Sequence, residues 1–99
     1  MLHIVNKSPL ERSTLDSCLA AAQPGAAVLL IEDGVYAATR GNAAESKLKA
    51  ASAHLEIYVL APDLEARGMA QALAEGIKTV DYAGFVELVV QHKNCQSWL

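Results

Sequence analysis

The sequence predicts a small three-layer α/β/α domain built on a mainly parallel sheet of four to five strands. Three observations predict it. Strand-like apolar runs alternate with helical segments along the whole 99 residues. The intervening connections are long enough for helical crossovers, and strands joined that way pair in parallel with a right-handed turn. The run Ala26–Ile31 is apolar without alternation, as a central strand covered on both faces must be. No linker, low-complexity tract or repeat interrupts the series, so residues 1–99 form a single domain.

Each element follows in order. Leu2-His3-Ile4-Val5 is a short first strand. Ser8-Pro9-Leu10-Glu11 then carries a helix start, with Ser8 as cap, Pro9 in the first turn and Glu11 closing a capping box; Ser13-Thr14-Leu15-Asp16 is a competing later start. Gln23-Pro24-Gly25 ends that helix, because proline cannot continue it and glycine accepts the left-handed turn. After the Ala26–Ile31 strand, Glu32-Asp33-Gly34 reads as a polar turn. Val35–Ala38 and, past the Gly41-Asn42 break, Ala43–Ala51 read as helical pieces. His54–Leu60 is the next strand. Ala61-Pro62-Asp63 opens a helix with Asp63 as cap and Gly68 as stop or kink, and Met69–Glu75 is ambiguous between helix and loop. Ile77–Val80 is a fourth strand. Asp81 caps a helix in which Tyr82, Phe85, Val86 and Val89 recur at i, i+3, i+4 and i+7, which makes one apolar face. Gln96–Leu99 is a candidate terminal strand. Strand order is not legible at this level.

Composition narrows the function. Hydrophobic residues make up 53% of the chain, with Ala, Leu and Val in excess, which suits a doubly covered sheet or a subunit interface and excludes a disordered acidic tail. Eight basic against eleven acidic side chains give a net charge of −3, so direct nucleic-acid binding is not expected. The longest near-continuous apolar stretch, Ala26–Ile31, falls far short of the ~20 residues of a spanning helix, and the first residues lack an export signal. A cytoplasmic chain away from membranes, with Cys18 and Cys95 as free thiols, is the expectation.

Few motifs carry chemistry. Neither GxGxxG nor GxxxxGK[ST] occurs, so phosphate cradling lacks its loop. His3, His54 and His92 are scattered; His92 and Cys95 share one helix end but lack a third ligand, and neither a metal nor another cofactor is expected. Glu32-Asp33, at a strand's carboxyl end, is placed where open α/β sheets hold ligands, yet the plainer reading is a turn in which Asp33 bonds nearby amides and Glu32 is solvated. Asp63 and Arg67, at i,i+4, read as a cap and an ion pair. Cys18 lies on the inward stripe of the first helix with Leu15, Leu19 and Ala22, where a thiol is a small hydrophobe with a raised pKa. Cys95 sits beyond the last helix, whose C-terminal end disfavours a thiolate. Neither thiol is a convincing nucleophile.

Four segments together resemble the DsrH/TusB family of sulfur-relay proteins. They are Met1–Pro9, Leu29–Ala38 (Leu-Leu-Ile-Glu-Asp-Gly-Val-Tyr-Ala-Ala), Tyr58–Gly68 and Val80–Leu88, with the end at Trp98 in addition. The likeness runs over essentially the whole chain in order. The Asn6-Lys7-Ser8-Pro9 opening and Cys18 look closer to the DsrH branch than to the TusB branch.

The resemblance implies a DsrEFH-like fold and a subunit of a heterohexamer, with DsrE/TusD-like and DsrF/TusC-like paralogues as partners. Such assemblies hand persulfide sulfur on to a carrier protein of the DsrC/TusE type, toward tRNA wobble-uridine 2-thiolation or dissimilatory sulfur oxidation. In that family the persulfide-bearing cysteine belongs to the DsrE/TusD paralogue, before an Ala-rich helix ending in Arg-Gly. Here Arg67-Gly68 is present, but His54–Gly68 holds no cysteine. A non-catalytic structural or interaction subunit of a sulfurtransferase complex is the expectation. The alternative is a persulfide carrier that uses Cys18, matching a first-helix cysteine of the DsrH branch. Tyr36, Met69 and Trp98, in or near connections, are the candidate interface residues.

Overall fold

A computed structural model describes residues 1–9 and 13–98. Five strands, β1 (Leu2–Val5), β2 (Ala27–Leu30), β3 (Glu56–Leu60), β4 (Lys78–Val80) and β5 (Cys95–Trp98), form one sheet in the order β4-β3-β2-β1-β5. Every pairing is parallel. Four α-helices connect them: α1 (Thr14–Ala21), α2 (Glu45–Ala51), α3 (Ala61–Ala66) and α4 (Tyr82–Gln91). Two 3-10 segments, Glu32–Ala38 and Ala70–Ala72, complete the connections.

Strand order dictates the layers. The crossovers β1→β2, β2→β3 and β3→β4 all step in one direction, so right-handed connections stack their helices on one face. The β4→β5 crossover returns across the whole sheet and must lie on the other face. The core divides accordingly. On the first face Val5, Val28, Leu30, Ile57 and Val59 pack with Leu15, Cys18, Val35, Leu48 and Leu64. On the second, Leu2, Ala27 and Leu29 meet only Leu88 and Phe85 of α4. Among the described residues no helix is long and apolar enough to cross a membrane.

Several local expectations are corrected. Helix α1 begins at Thr14, the later of the two starts; Ser8 is buried outside it, and Glu11 lies outside the described residues. The Glu32-Asp33-Gly34 turn is the first part of a 3-10 helix that runs on to Ala38. Helix α3 starts at Ala61 with Pro62 in its first turn, so Asp63 lies within the helix rather than at its cap. Proline's fixed φ and missing N–H suit that first turn and draw the start forward. Between α3 and β4 the ambiguous stretch is a short 3-10 turn, tied back by an antiparallel bridge from Leu73 to Thr39. Asp81 caps α4 as expected, its Oδ1 accepting from the Gly84 amide at 2.8 Å. The terminal strand exists, one residue earlier than expected.

Candidate functional site

The strand order reverses between β1 and β5, which makes that the topological switch point, and it is along the carboxyl edge of the strands that open sheets place ligands. The groups nearest that edge are mutually engaged. Glu32 adopts a left-handed backbone, φ 50°, and its amide donates to Asp63 Oδ2 at 2.7 Å. Arg67 Nε donates to Asp33 Oδ1 at 3.0 Å, and its Nη1 donates to the Asp63 carbonyl at 3.2 Å. The expected Asp63–Arg67 side-chain ion pair is therefore replaced by Asp33–Arg67, which spans two connections. Asp33 binds a guanidinium instead of its own turn amides, and Asp63 supplies the acceptor for the strained turn.

Gly34 fixes the other side of this edge. A Cβ there would stand 2.3 Å from the Val5 carbonyl oxygen, so only glycine lets the 3-10 segment lie against the end of β1. The result is a clamp that joins the exits of β1, β2 and β3. In it the Arg67 guanidinium offsets the Asp33 carboxylate, and Asp63 is engaged by the Glu32 amide.

Both thiols lie away from this edge. Cys18 is 0% exposed in the first core layer, and burial pushes its thiol up to about 12. The thiolate is the reactive form, so a shift of that size silences the group at neutral pH. Cys95 is exposed on β5 opposite Leu2, at the amino end of the sheet, the far end from the clamp. Among the described residues no group of three or more His, Cys, Asp and Glu is disposed to hold a metal.

The remaining sequence candidates separate. Tyr36 is half-buried within the 3-10 segment, and Met69 packs against the first core layer. Trp98 also packs there, and its indole Nε1 donates to His3 Nδ1 at 3.1 Å. That bond was not foreseen. His3 and Val5 share a face, and the β1–β5 register sets Trp98 opposite Val5, within reach of His3.

The largest departure is α4. Its regular apolar face points outward, with Tyr82 61%, Val86 61%, Val89 40% and Val90 78% exposed. Phe85 is half-buried and Leu88 alone is fully inside. These side chains line a shallow apolar groove. One signal was available: Glu87 is the sole charged residue of α4, so the helix is apolar nearly all round, as buried helices are.

Comparison with known proteins agrees with this architecture. The family described as "DsrH like protein" matches residues 7–95. A protein named TusB from Pectobacterium parmentieri is 39% identical over 98 residues, covering 99% of this chain and all of that one. Protein TusB of Escherichia coli O81 is 35% identical over the same span. Among solved structures, the YchN protein of E. coli superposes with a TM-score of 0.81 at 15% identity, covering 97% of both chains. A protein of unknown function from Methanobacterium thermoautotrophicum gives 0.72 at 17% identity, covering 97% of this chain and 95% of that one.

Proposed function

The chain belongs to the DsrH family, and from that premise we propose that it is a non-catalytic interaction subunit of a cytoplasmic sulfur-relay complex. The observation that carries the reading is the outward apolar face of α4. Tyr82, Val86, Val89 and Val90 leave much of their apolar area in water, whereas burial against a neighbour releases about 25 cal/mol per Å² of it. The occupant is a paralogous α/β subunit of the DsrE/TusD or DsrF/TusC kind, in a heterohexamer. Tyr36, Met69 and Trp98 are further contacts in a lesser role, away from α4, where Met69 and Trp98 already pack against the first core layer.

The chemistry belongs to the partners. Sulfur transfer needs an accessible thiolate, and Cys18 is enclosed with its proton held. This subunit closes the complex around a paralogue's persulfide, which passes to a carrier of the DsrC/TusE type. The TusB name of the curated relatives supports service to tRNA wobble-uridine thiolation; the Asn6–Pro9 opening supports dissimilatory sulfur oxidation.

Co-expression with the two paralogues, followed by light scattering, tests the docking. Wild type is expected in the assembly and the Val86→Glu/Val90→Glu double variant outside it, each folded by circular dichroism. Assembly unaffected by the double variant would refute the α4 reading. Treating the same complex with a persulfide donor separates the Cys18 alternative. Intact mass should show no sulfur adduct that Cys18→Ser removes, and such an adduct would overturn the non-catalytic role.

A further inference from the structure

We propose that β5 is a detachable edge strand whose docking is gated by protonation of His3. The strand pairs with β1 alone, and Cys95, Gln96 and Ser97 are all exposed. Its side-chain anchor is Trp98, which packs on the first core layer and donates to His3 Nδ1 at 3.1 Å. An indole N–H can only donate, so His3 must keep Nδ1 bare and carry its hydrogen on Nε2. A second proton would go onto Nδ1 and set two donors against each other. The anchor would then become a repulsion.

The proton has a route. His3 is 3% exposed, yet it lines an open cleft of about 420 Å³ bounded by Met1, Ala21, Gln23, Pro24, Gly25, Ala26 and Gln96. Among the described residues no carboxylate lines that cleft to stabilise an imidazolium. The amino terminus of Met1, on the same cleft, is a charged group that faces His3, and its repulsion adds to the cost of an imidazolium. Strand β2 offers Val28, β5 offers Gln96 and Trp98, and the buried residues of α1 are Leu15 and Cys18, whose thiol stays protonated up to about 12. His92, just before β5, sits with Nδ1 3.0 Å from the Leu88 carbonyl.

The sign follows from linkage. In the docked state burial, and secondarily the nearby amino terminus, hold His3 below its ordinary 6.5. With β5 released the imidazole meets water and returns toward 6.5, so the released state binds more protons below that pH. Docking is full above 6.5 and weakens as pH falls below it. When β5 leaves, β1 becomes the edge of the sheet, with its backbone free to pair with another strand.

Amide hydrogen exchange on the full chain, corrected for the intrinsic rate, tests the gate. Protection of the β5 amides should fall roughly tenfold between about pH 7 and about pH 5.5. Protection of β2 and β3 should stay constant. The chain's single tryptophan lets its indole proton report the same transition by NMR. His3→Gln keeps an acceptor that does not titrate, so its β5 protection should change less than about twofold. A flat wild-type profile, or an unchanged pH dependence in His3→Gln, would refute the gate. Should His3→Gln fail to fold, Trp98→Phe decides: β5 must already be weakly protected at neutral pH, and a retained pH dependence sinks the proposal.

Discussion

The two faces of the sheet are built from similar strand residues but are finished differently. On one, Val5, Val28, Leu30, Ile57 and Val59 are each no more than 2% exposed beneath three helices and a 3-10 segment. On the other, Leu2, Ala27 and Leu29 are sealed, while Ile4, Ile31, Tyr58 and Val80 stay half-open beside α4. Hydropathy of the strands does not cause the difference; topology does. Three crossovers stepping one way deposit their helices on one side, and the single return crossover must cover the other alone. A ten-residue helix cannot cover five strands. The first face is therefore a completed core, and the second is a surface on which α4 leaves Tyr82, Val86 and Val90 outward.

The largest expected effect lies on the completed face. Leu30→Ala should lower the free energy of unfolding by about 3–4 kcal/mol, because the packed layer cannot collapse into the space left. The matching truncation on the open face, Ile4→Ala, should cost about 1–2 kcal/mol, since that side chain is already half in water. Urea unfolding of the pair measures the asymmetry. Equal losses would break the comparison.

A smaller effect is expected at the clamp between the strand exits. The Asp33 and Arg67 side chains are 48% and 25% exposed, so solvent screens their ion pair. Arg67→Met should cost under about 1 kcal/mol by urea unfolding, while the 3-10 segment it ties down loses order. A loss above about 2 kcal/mol would show that the clamp, and not the layer beneath it, holds the first face together.

How far the sequence foretold this arrangement depends on the range of the forces. Strands β1 to β4 were legible to within two residues because each is a short apolar run whose pattern is local. The α4 cap was legible because Asp81 bonds an amide three residues on. The role of Asp63 was misjudged because its side chain reaches back to the Glu32 amide, 31 residues earlier, a contact without a local signature, while Pro62 draws the start of α3 forward. Arg67 was assigned to Asp63 for the same reason, when Asp33 in another connection holds it. The His3–Trp98 bond joins residues 95 apart and depends on strand order, which periodicity does not encode. Cys18 was correctly placed inward because α1 is an ordinary amphipathic helix. The stripe of α4 was real, but a stripe says where apolar groups gather and not which side the sheet lies on.

The smallest effect on folding is the sharpest test of that last distinction. Val90 is 78% exposed in the last turn of α4, so little burial is lost when it becomes lysine. Lysine is the better helix former by a few tenths of a kcal/mol, and its charge suits a helix C-terminus by a similar amount. Val90→Lys should therefore leave the isolated chain unchanged or raise its stability by about 0.5 kcal/mol, read by thermal or urea unfolding. A loss beyond about 1 kcal/mol would mean that Val90 packs within its own chain, and the second face would then be closed like the first. In the assembled complex the sign should reverse, because an ammonium pressed into an apolar contact loses its water without gaining a partner. Only a surface meant to be covered by another molecule gives opposite answers to one substitution.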